Sequence, residues 1–342
     1  MRLSATLPYA GDPETTVRQA VAWESAGVDI LWVAEAYGFD SPTLMGYLAA
    51  LTRRAAIGSA ILPIYSRTPT LIAQTAAGLD AVSRGRAILG LGASGPQVVE
   101  GWHGVEYDRP LGRTREVVEI CRRVWRRETV AHDGIYQLPL PAGRGTGLGK
   151  PLKLLTRPVR DRIPIYVAAL GEANVRMTAE IADGWMPALF IPERAHDVWG
   201  GALAAGAAKR PADLAPLEVV AGGPLAIGDG LEAHRDLARP AMALYIGGMG
   251  AKGRNFYADL ARRYGYASEA DRVQDLYLAG RKEEAAAAIP AEFVELTSLV
   301  GTPDFVRRRV AAFAAAGVTV LNVTPVGPEP AEDLARLRQL LP

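Results

Sequence analysis

The chain has 342 residues, 49% of them hydrophobic and 22% charged, and its formal net charge is +1. This is an ordinary globular composition, and such a small net charge gives no overall field that would attract nucleic acid or a membrane. The single cysteine, Cys121, excludes an intramolecular disulfide and a metal site built from cysteines. It lies in an apolar-periodic run, so we expect a buried thiol. With no signal-peptide core in residues 1–12 and no long apolar run, we expect a reduced, cytoplasmic protein.

Short apolar runs alternate with helical patterns along the chain, which is typical of βα units and a parallel sheet. Strands are predicted, in chain order, at residues 3–7, 28–33, 56–62, 87–91, 163–168, 185–190, 217–227 and 318–323. Helices are predicted from 12 to 27, from 41, at 69–83, at 113–127, at 172–182, from 192, at 302–316 and at 329–341. A hairpin is predicted around Asp133-Gly134, followed by a surface loop at 139–151.

Eight parallel strands with helices between them predict an α/β fold of the (β/α)8 TIM-barrel type. We expect one domain over residues 1–342, because no linker or repeat divides the chain. The excess over a barrel of roughly 250 residues falls in two insertions. They occupy about 102–151, after strand 4, and about 230–300, after strand 7. The second is predicted to be a long helical segment without a clear strand.

The segment Gly90-Leu91-Gly92-Ala93-Ser94-Gly95 matches the G-x-G-x-x-G pattern of dinucleotide-binding turns. It follows the fourth strand, whereas that fingerprint belongs to the first βα turn, so we reject this interpretation. Two interpretations stay open. The glycines either form a tight strand-to-helix turn or let a flat ring system approach the backbone closely.

Residues 90–104 (GLGASGPQVVEGWHG) resemble the strand-four signature of luciferase-like proteins, particularly a branch that depends on coenzyme F420. Four further segments agree in order and spacing. They are 31–40 (LWVAEAYGFD), 57–69 (IGSAILPIYSRTP), 165–187 (IYVAALGEANVRMTAEIADGWMP) and 316–325 (AGVTVLNVTP). The resemblance implies the barrel, a redox role and a cofactor pocket at the carboxyl ends of the strands.

The resemblance also implies how this chain would hold a cofactor. A non-proline cis peptide bond is expected at Ala60–Ile61, where it would back the central ring, and the turn at 168–174 is expected to bind the phosphate at a helix N-terminus. The small residues of that turn suit a close backbone approach. Arg67 could pair with a phosphate or the cofactor's polyglutamate tail. The expected cofactor-binding residues are Glu35, Ala60, Ile61, Arg67, Gly92, Ala93, Ser94, Ala168, Ala169, Gly171 and Asn174.

Three residues are candidates for catalysis: Glu35, Tyr37 and His103. Glu35 ends the second strand and would face the barrel mouth, although a pair with a neighbouring Arg is an alternative. Tyr37 and His103 could each supply a proton, but structural roles explain them equally well. Ala36 and Gly95 stand where the family's sugar-phosphate dehydrogenases have a histidine and an acid, which argues against that activity. His132, His196 and His234 are expected on the surface, and no metal motif occurs.

The expected function is therefore an F420-dependent oxidoreductase that transfers a hydride between the deazaflavin and a small organic substrate with a C=C, C=N or carbonyl group. Two alternatives stay open. One is an FMN-dependent monooxygenase that uses O2 and reduced flavin from a partner reductase. The other is a non-catalytic flavin- or deazaflavin-binding protein. A homodimer is possible, and neither a nucleic acid nor a membrane is expected as a partner.

Overall fold

The computed structural model describes residues 1–8 and 11–342. Its strands, in chain order, are β1 (Arg2–Thr6), β2 (Ile30–Val33), β3 (Ala56–Ser59), β4 (Leu62–Pro63), β5 (Ala87–Gly92), β6 (His132–Asp133), β7 (Gln137–Leu138), β8 (Ile165–Ala168), β9 (Gly184–Met186), β10 (Glu218–Ile227), β11 (Leu299–Gly301) and β12 (Val320–Pro325). Strands β1, β2, β3, β5, β8, β9, β10 and β12 form a closed parallel ring, because β12 pairs with β1 and β9 pairs with β10. The predicted TIM barrel is confirmed.

Helices surround this ring. They are α1 (Pro13–Ser25), α2 (Ser41–Leu51), α3 (Pro69–Ser83), α4 (Pro96–Gly101), α5 (Pro110–Trp125), α6 (Glu172–Ile181), α7 (Pro192–Ala207), α8 (Arg239–Ala243), α9 (Phe256–Arg263), α10 (Ala267–Leu278), α11 (Lys282–Ala287), α12 (Ala291–Leu296), α13 (Pro303–Ala315) and α14 (Pro330–Leu340). A 3-10 helix, Glu232–Ala238, and a π-helix, Leu244–Gly248, lie on either side of α8. None of the helices in residues 1–8 and 11–342 is both long and apolar enough to cross a membrane.

Capping side chains explain where several helices begin. Asp12 accepts a hydrogen bond from the Thr15 N–H at 2.8 Å, and Asp40, Thr68 and Thr302 cap α2, α3 and α13 in the same way. A proline in the first turn of each helix has no N–H that would need an acceptor there. These local signals account for the accurately predicted helix starts in the chain.

The barrel interior is filled by rings that lie opposite glycines. Trp32 on β2 pairs in register with Gly58 on β3, and Tyr166 on β8 pairs with Gly184 on β9. A Cβ atom on Gly58 would lie 2.1 Å from the Trp32 ring, and one on Gly184 would lie 2.6 Å from the Tyr166 ring. The two ring centroids are 5.6 Å apart. Each glycine therefore provides the space that the aromatic side chain opposite it occupies.

A polar cluster of Arg2, Tyr166 and Glu218 closes the base of the barrel. Arg2 donates to the Tyr166 hydroxyl at 2.9 Å and to Glu218 Oε1 at 2.6 Å, and the Tyr166 hydroxyl donates to Glu218 Oε2. Burial, together with the hydrogen bond to the Glu218 carboxylate, raises the pKa of Tyr166. The three groups bond to one another, so the base is held together by its own side chains.

The departures from the predicted elements have local causes. Strand 56–62 is interrupted after Ser59, and strand 185–190 ends at Met186. Helix α4 was not predicted, since it has only six residues. The segment 230–300 was expected to lack a strand, and this prediction is wrong for its last residues. They begin β11, which pairs with the last three residues of β10. Such short elements depend on their tertiary neighbours and carry little periodic signal.

Two expectations about single side chains have opposite outcomes. Cys121 is fully buried, as expected, and burial raises the pKa of its thiol. His132, which was expected on the surface, is largely buried with its Nε2 3.1 Å from Glu116 Oε2. The β6–β7 hairpin folds back on α5, and the Ile135 and Tyr136 N–H groups also donate to Glu116. This packing covers a histidine that a hairpin pattern alone leaves exposed.

Candidate functional site

The carboxyl ends of the eight strands meet at one end of the barrel, which is where barrel enzymes place their chemistry. The predicted site residues that follow β2, β3, β5 and β8 are therefore brought to the same mouth. Ala60, Ala93, Ser94 and Ala168 lie there and are partly exposed, whereas the side chain of Glu35 is buried. These residues differ in their contacts, and the contacts decide which role each side chain can have.

The break between β3 and β4 contains the expected cis peptide bond, Ala60–Ile61. The strand stops at Ser59 and resumes at Leu62, while the Ala60 N–H still donates to the Val33 carbonyl at 2.7 Å. The bulged bond therefore stays attached to β2. Its partly exposed residues, Ala60 and Ile61, form one wall of the mouth.

The glycines of β5 make room for this bulge. A Cβ on Gly90 would lie 1.8 Å from the Ser59 carbonyl oxygen, and one on Gly92 would lie 2.8 Å from Ile61 Cγ1. What approaches these glycines in the structure is the neighbouring strand, so the approach of a flat ring stays a prediction. Gly92 makes room for Ile61 in the wall of the mouth.

The turn before α6 points its carbonyl groups away from the mouth. The Trp185 indole N–H donates to the Ala169 carbonyl, and the Trp199 indole N–H donates to the Leu170 carbonyl, each at 2.9 Å. Both indoles are buried. The N-cap residue, Gly171, has no side chain to cap the helix, so the first N–H groups of α6 are available to an external anion.

Other atoms of this turn define the space in front of it. A Cβ built on Gly171 meets no atom within 4 Å, so the N-cap faces open space. Asn174 has a buried Oδ1 without a partner in the described part of the chain. A half-turn of its amide would present Nδ2 instead, which is a donor. Ala169, in contrast, is buried in the core behind the strand, so its side chain is directed away from the mouth.

Glu35 and Arg67 form a buried ion pair, the alternative that was left open for Glu35. Arg67 Nη2 lies 2.9 Å from Glu35 Oε2, and Nη1 contacts Oε1. The same carboxylate accepts from the Ser41 N–H at 2.8 Å and from the Ser41 hydroxyl. Only 7% of the Glu35 side chain and 14% of the Arg67 side chain are exposed. Ser41 therefore ties Glu35 to the start of α2, and the charge of Arg67 is already paired.

Three large aromatic side chains stand exposed after β2 and β5. Tyr37 is 61% exposed, Phe39 is 78% exposed and Trp102 is 65% exposed. The rings of Tyr37 and Trp102 are in contact, with centroids 6.4 Å apart. We call these three residues the aromatic rim. Sequence analysis singled out Tyr37 alone, because the contact joins two loops that are distant in sequence.

His103 follows α4 on the same loop as Trp102. Its ring is partly exposed, and its Nε2 is buried without a hydrogen-bond partner among the residues that the structure describes. The loop beyond it is fastened at Asp108, whose carbonyl accepts from the Tyr65 hydroxyl at 2.7 Å and whose carboxylate binds Arg113. Burial, reinforced by Tyr107, raises the pKa of Tyr65, so this phenol stays neutral as a structural donor. His103 is thus held on an anchored loop.

Trp185 and Trp199 hold the turn before α6, a role that sequence analysis missed. They were predicted as ordinary strand and helix residues. Their donation to two consecutive carbonyls becomes visible only once β9, α6 and α7 are packed. The available signal was that Trp185 begins the predicted strand that follows the helix of the expected phosphate turn.

Comparisons with known proteins agree with this geometry. The model of the luciferase-like monooxygenase family matches residues 1–320. A Mycobacterium tuberculosis protein named "putative coenzyme F420-dependent oxidoreductase" is 43% identical over 98% of this chain and 99% of its own length. The 5,10-methylenetetrahydromethanopterin reductase of Archaeoglobus fulgidus is 27% identical, over 93% of this chain and 92% of its own length. The structure of the coenzyme F420-dependent tetrahydromethanopterin reductase from Methanopyrus kandleri superposes with a TM-score of 0.81 at 21% identity, covering 99% of this chain and 98% of that chain.

Proposed function

Since the chain belongs to the luciferase-like monooxygenase family, we propose that it is an oxidoreductase that uses coenzyme F420. The substrate would be a small organic molecule with a C=C, C=N or carbonyl group. When bound, the cofactor supplies the hydride chemistry. The relative that is 43% identical along nearly its whole length supports the deazaflavin over FMN.

The observation that carries the proposal is the turn before α6. Trp185 and Trp199 hold its carbonyls back, and the N-cap is a glycine in open space. A helix N-terminus with free N–H groups is suited to a phosphate. The amide of Asn174 can add a donor at the same place. The cofactor's phosphate would bind here, and its ring would lie against the Ala60–Ile61 bulge.

The residues around the mouth would then position the acceptor. The aromatic rim offers Tyr37 and Trp102 as apolar surfaces for a neutral organic group. Hydride transfer needs the reacting atoms held about 3–3.5 Å apart, which is a task of positioning. His103 Nε2 and the Tyr37 hydroxyl are the groups that could deliver or accept the accompanying proton. The buried ion pair of Glu35 and Arg67 would support this arrangement from behind.

The outer faces of α2 and α3 support a homodimer. Helix α2 contains no charged residue, and the single charge of α3, Asp80, is buried against Arg160. The exposed side chains on these helices include Tyr47, Leu51, Leu71 and Val82. A contiguous uncharged face of this kind is typical of a subunit interface. Light scattering should give the mass of a dimer. Val82→Asp should reduce it to the monomer, and Leu278→Asp, exposed on another face, should not.

The test of the proposed function is a titration of the purified protein with F420 and with FMN. We expect F420 to bind at tens of micromolar or tighter and FMN more weakly. Gly171→Asp should weaken F420 binding at least tenfold, because its carboxylate would accept from the N–H groups that the phosphate needs and would repel the phosphate. The same carboxylate caps α6, so the free energy of unfolding should rise by about 0.3 kcal/mol. Gly171→Ala is the matched control and should leave binding unchanged.

Each other outcome has a definite meaning. Tighter binding of FMN, with O2 consumption when the flavin is reduced, would favour a monooxygenase that depends on a partner flavin reductase. Binding of F420 without turnover of any alkene, imine or carbonyl compound would favour a non-catalytic binding protein. Equal binding by the Gly171→Asp variant and the unmodified protein would place the phosphate elsewhere.

A further inference from the structure

Residues 139–159, which we call the arm, form an exposed segment between the β6–β7 hairpin and β8. Leu148 is 83% exposed and Leu155 is 93% exposed, and three further apolar side chains of the arm are also exposed: Leu140, Leu152 and Val159. The same 21 positions contain Arg144, Lys150, Lys153 and Arg157 but no Asp or Glu. The arm therefore combines projecting apolar side chains with four cations, and it carries no acid of its own that could neutralise them.

The second half of the arm is attached to the barrel. The Val130 N–H donates to the Leu152 carbonyl at 2.9 Å, and Arg127 donates to the Leu154 carbonyl at 3.2 Å. After the arm, Arg160 is paired with the buried Asp80. The exposed side chains of Leu152 and Leu155 therefore project from an attached backbone, and this surface is available without unfolding.

The position of the arm follows from the hairpin before it. Because Glu116, in the second turn of α5, binds the N–H groups of Ile135 and Tyr136, the tip of the hairpin lies beside the first half of α5. Strand β7 pairs antiparallel with β6, so the chain turns back at this tip before it enters the arm. The arm then reaches Leu152, whose carbonyl binds the Val130 N–H just beyond the end of α5. The arm therefore lies beside α5, on the outside of the barrel.

We propose that the arm is a docking surface for an anionic lipid bilayer. Leucines interspersed with Lys and Arg are the composition that enters the headgroup region of such a surface. A second copy of the chain is a poorer occupant, since a two-fold contact would bring the four cations of one arm against those of the other. The net charge of +1 averages over the whole chain, so it conceals this local concentration. The inference goes beyond the proposed function and does not depend on the cofactor.

The experiment is sedimentation of the full-length protein with vesicles of phosphatidylcholine, alone or containing phosphatidylglycerol. We expect binding to the mixed vesicles, little binding to the neutral ones, and release on addition of salt. Each cation near an anionic surface contributes about fivefold in affinity. Lys150→Glu with Lys153→Glu should therefore reduce binding at least about 25-fold. Leu148→Ser with Leu155→Ser should reduce it about tenfold or more.

Matched variants elsewhere control for changes in total charge and apolar surface. Lys209→Glu with Arg308→Glu changes the same number of exposed cations just after α7 and on α13, and Leu278→Ser with Leu237→Ser removes exposed leucines from the other insertion. All four proteins should fold with unchanged far-UV circular dichroism. The proposal is overturned if the mixed vesicles do not sediment the protein, or if control and arm variants lose binding equally. It is also overturned if the arm variants alter only the mass in light scattering, which would assign the arm to a second copy.

Discussion

The two ends of this barrel treat their polar groups in opposite ways. At the base, Arg2, Tyr166 and Glu218 bond to one another, and no ligand is needed to complete the cluster. At the mouth, the helix N-terminus at Gly171 has no cap, and His103 Nε2 and Asn174 Oδ1 have no partners within residues 1–8 and 11–342. Buried polar atoms are rarely left unpaired without a reason. The difference agrees with a structural role for the base and supports the proposed ligand-binding role of the mouth.

Glu35 and Arg67 are the exception that tests this comparison, because they form a satisfied pair at the mouth. Glu35→Ala would leave the Arg67 charge buried without its partner. We expect the free energy of unfolding, measured in urea, to fall by about 3–5 kcal/mol. This is the largest effect among these predictions. F420 binding should weaken as well, since α2 loses its contact at Ser41.

The double variant of this pair is the control. Glu35→Ala with Arg67→Ala removes both charges, so its loss of stability should be smaller than the sum of the two single losses. Additive losses would mean that the two side chains act independently, and the pair would then have no scaffolding role.

Gly58→Ala tests the interior between the two ends. Its Cβ would lie 2.1 Å from the Trp32 ring, so Trp32 must shift. This shift should lower the free energy of unfolding by about 1–3 kcal/mol. Gly201→Ala on α7 is the control, because a Cβ there meets no atom within 4 Å. That change should stabilise the helix by up to about 1 kcal/mol. Equal thermal stability of the two variants would contradict the tight packing of Trp32 on Gly58.

Glu218→Gln should affect the base alone. The cluster loses a charge that accepts from Arg2 and Tyr166, and both ends of the ion pair are partly exposed, so we expect a loss of only about 1 kcal/mol. F420 affinity should stay the same. A change in F420 affinity without a change in the free energy of unfolding would contradict the separate roles of the base and the mouth.

The smallest effect concerns pH and the β6–β7 hairpin. Burial alone would raise the pKa of Glu116, but the N–H groups of Tyr136 and Ile135, together with His132, hold it below its usual value. A depressed carboxyl pKa stabilises the fold above the unfolded value of about 4.5, and this contribution disappears as pH falls through the lowered pKa. Exchange of the Ile135 and Tyr136 amides, corrected for intrinsic rates, should accelerate in this acid range. In Glu116→Gln the acceleration should be absent.

Local chemistry made much of the fold predictable from sequence. The Asp-Pro and Thr-Pro helix starts and the alternating apolar runs are encoded within a few residues, and the strand order follows from repeated βα units. The resemblance to luciferase-like proteins predicted the cis bond at Ala60–Ile61, which composition and periodicity could not indicate. The segment 230–300 was predicted less accurately, because its helices are short and depend on their neighbours.

The site was less predictable, because its contacts join residues that are far apart in sequence. The pairing of Glu35 with Arg67 spans 32 positions, and sequence left it as an alternative. Trp199 reaches the Leu170 carbonyl across 29 positions, and no periodicity indicates such a donor. The roles expected for Tyr37 and His103 stay predictions, since proton transfer depends on a substrate pose.

The glycines opposite Trp32 and Tyr166 have an evolutionary consequence. A larger residue at 58 or 184 is compatible with this backbone only after the ring opposite it has become smaller. Divergence inside the barrel is therefore coupled in pairs of positions, 32 with 58 and 166 with 184. In descendants of this chain the order of change is also constrained. The aromatic residue must be lost first, and the glycine can be replaced afterwards.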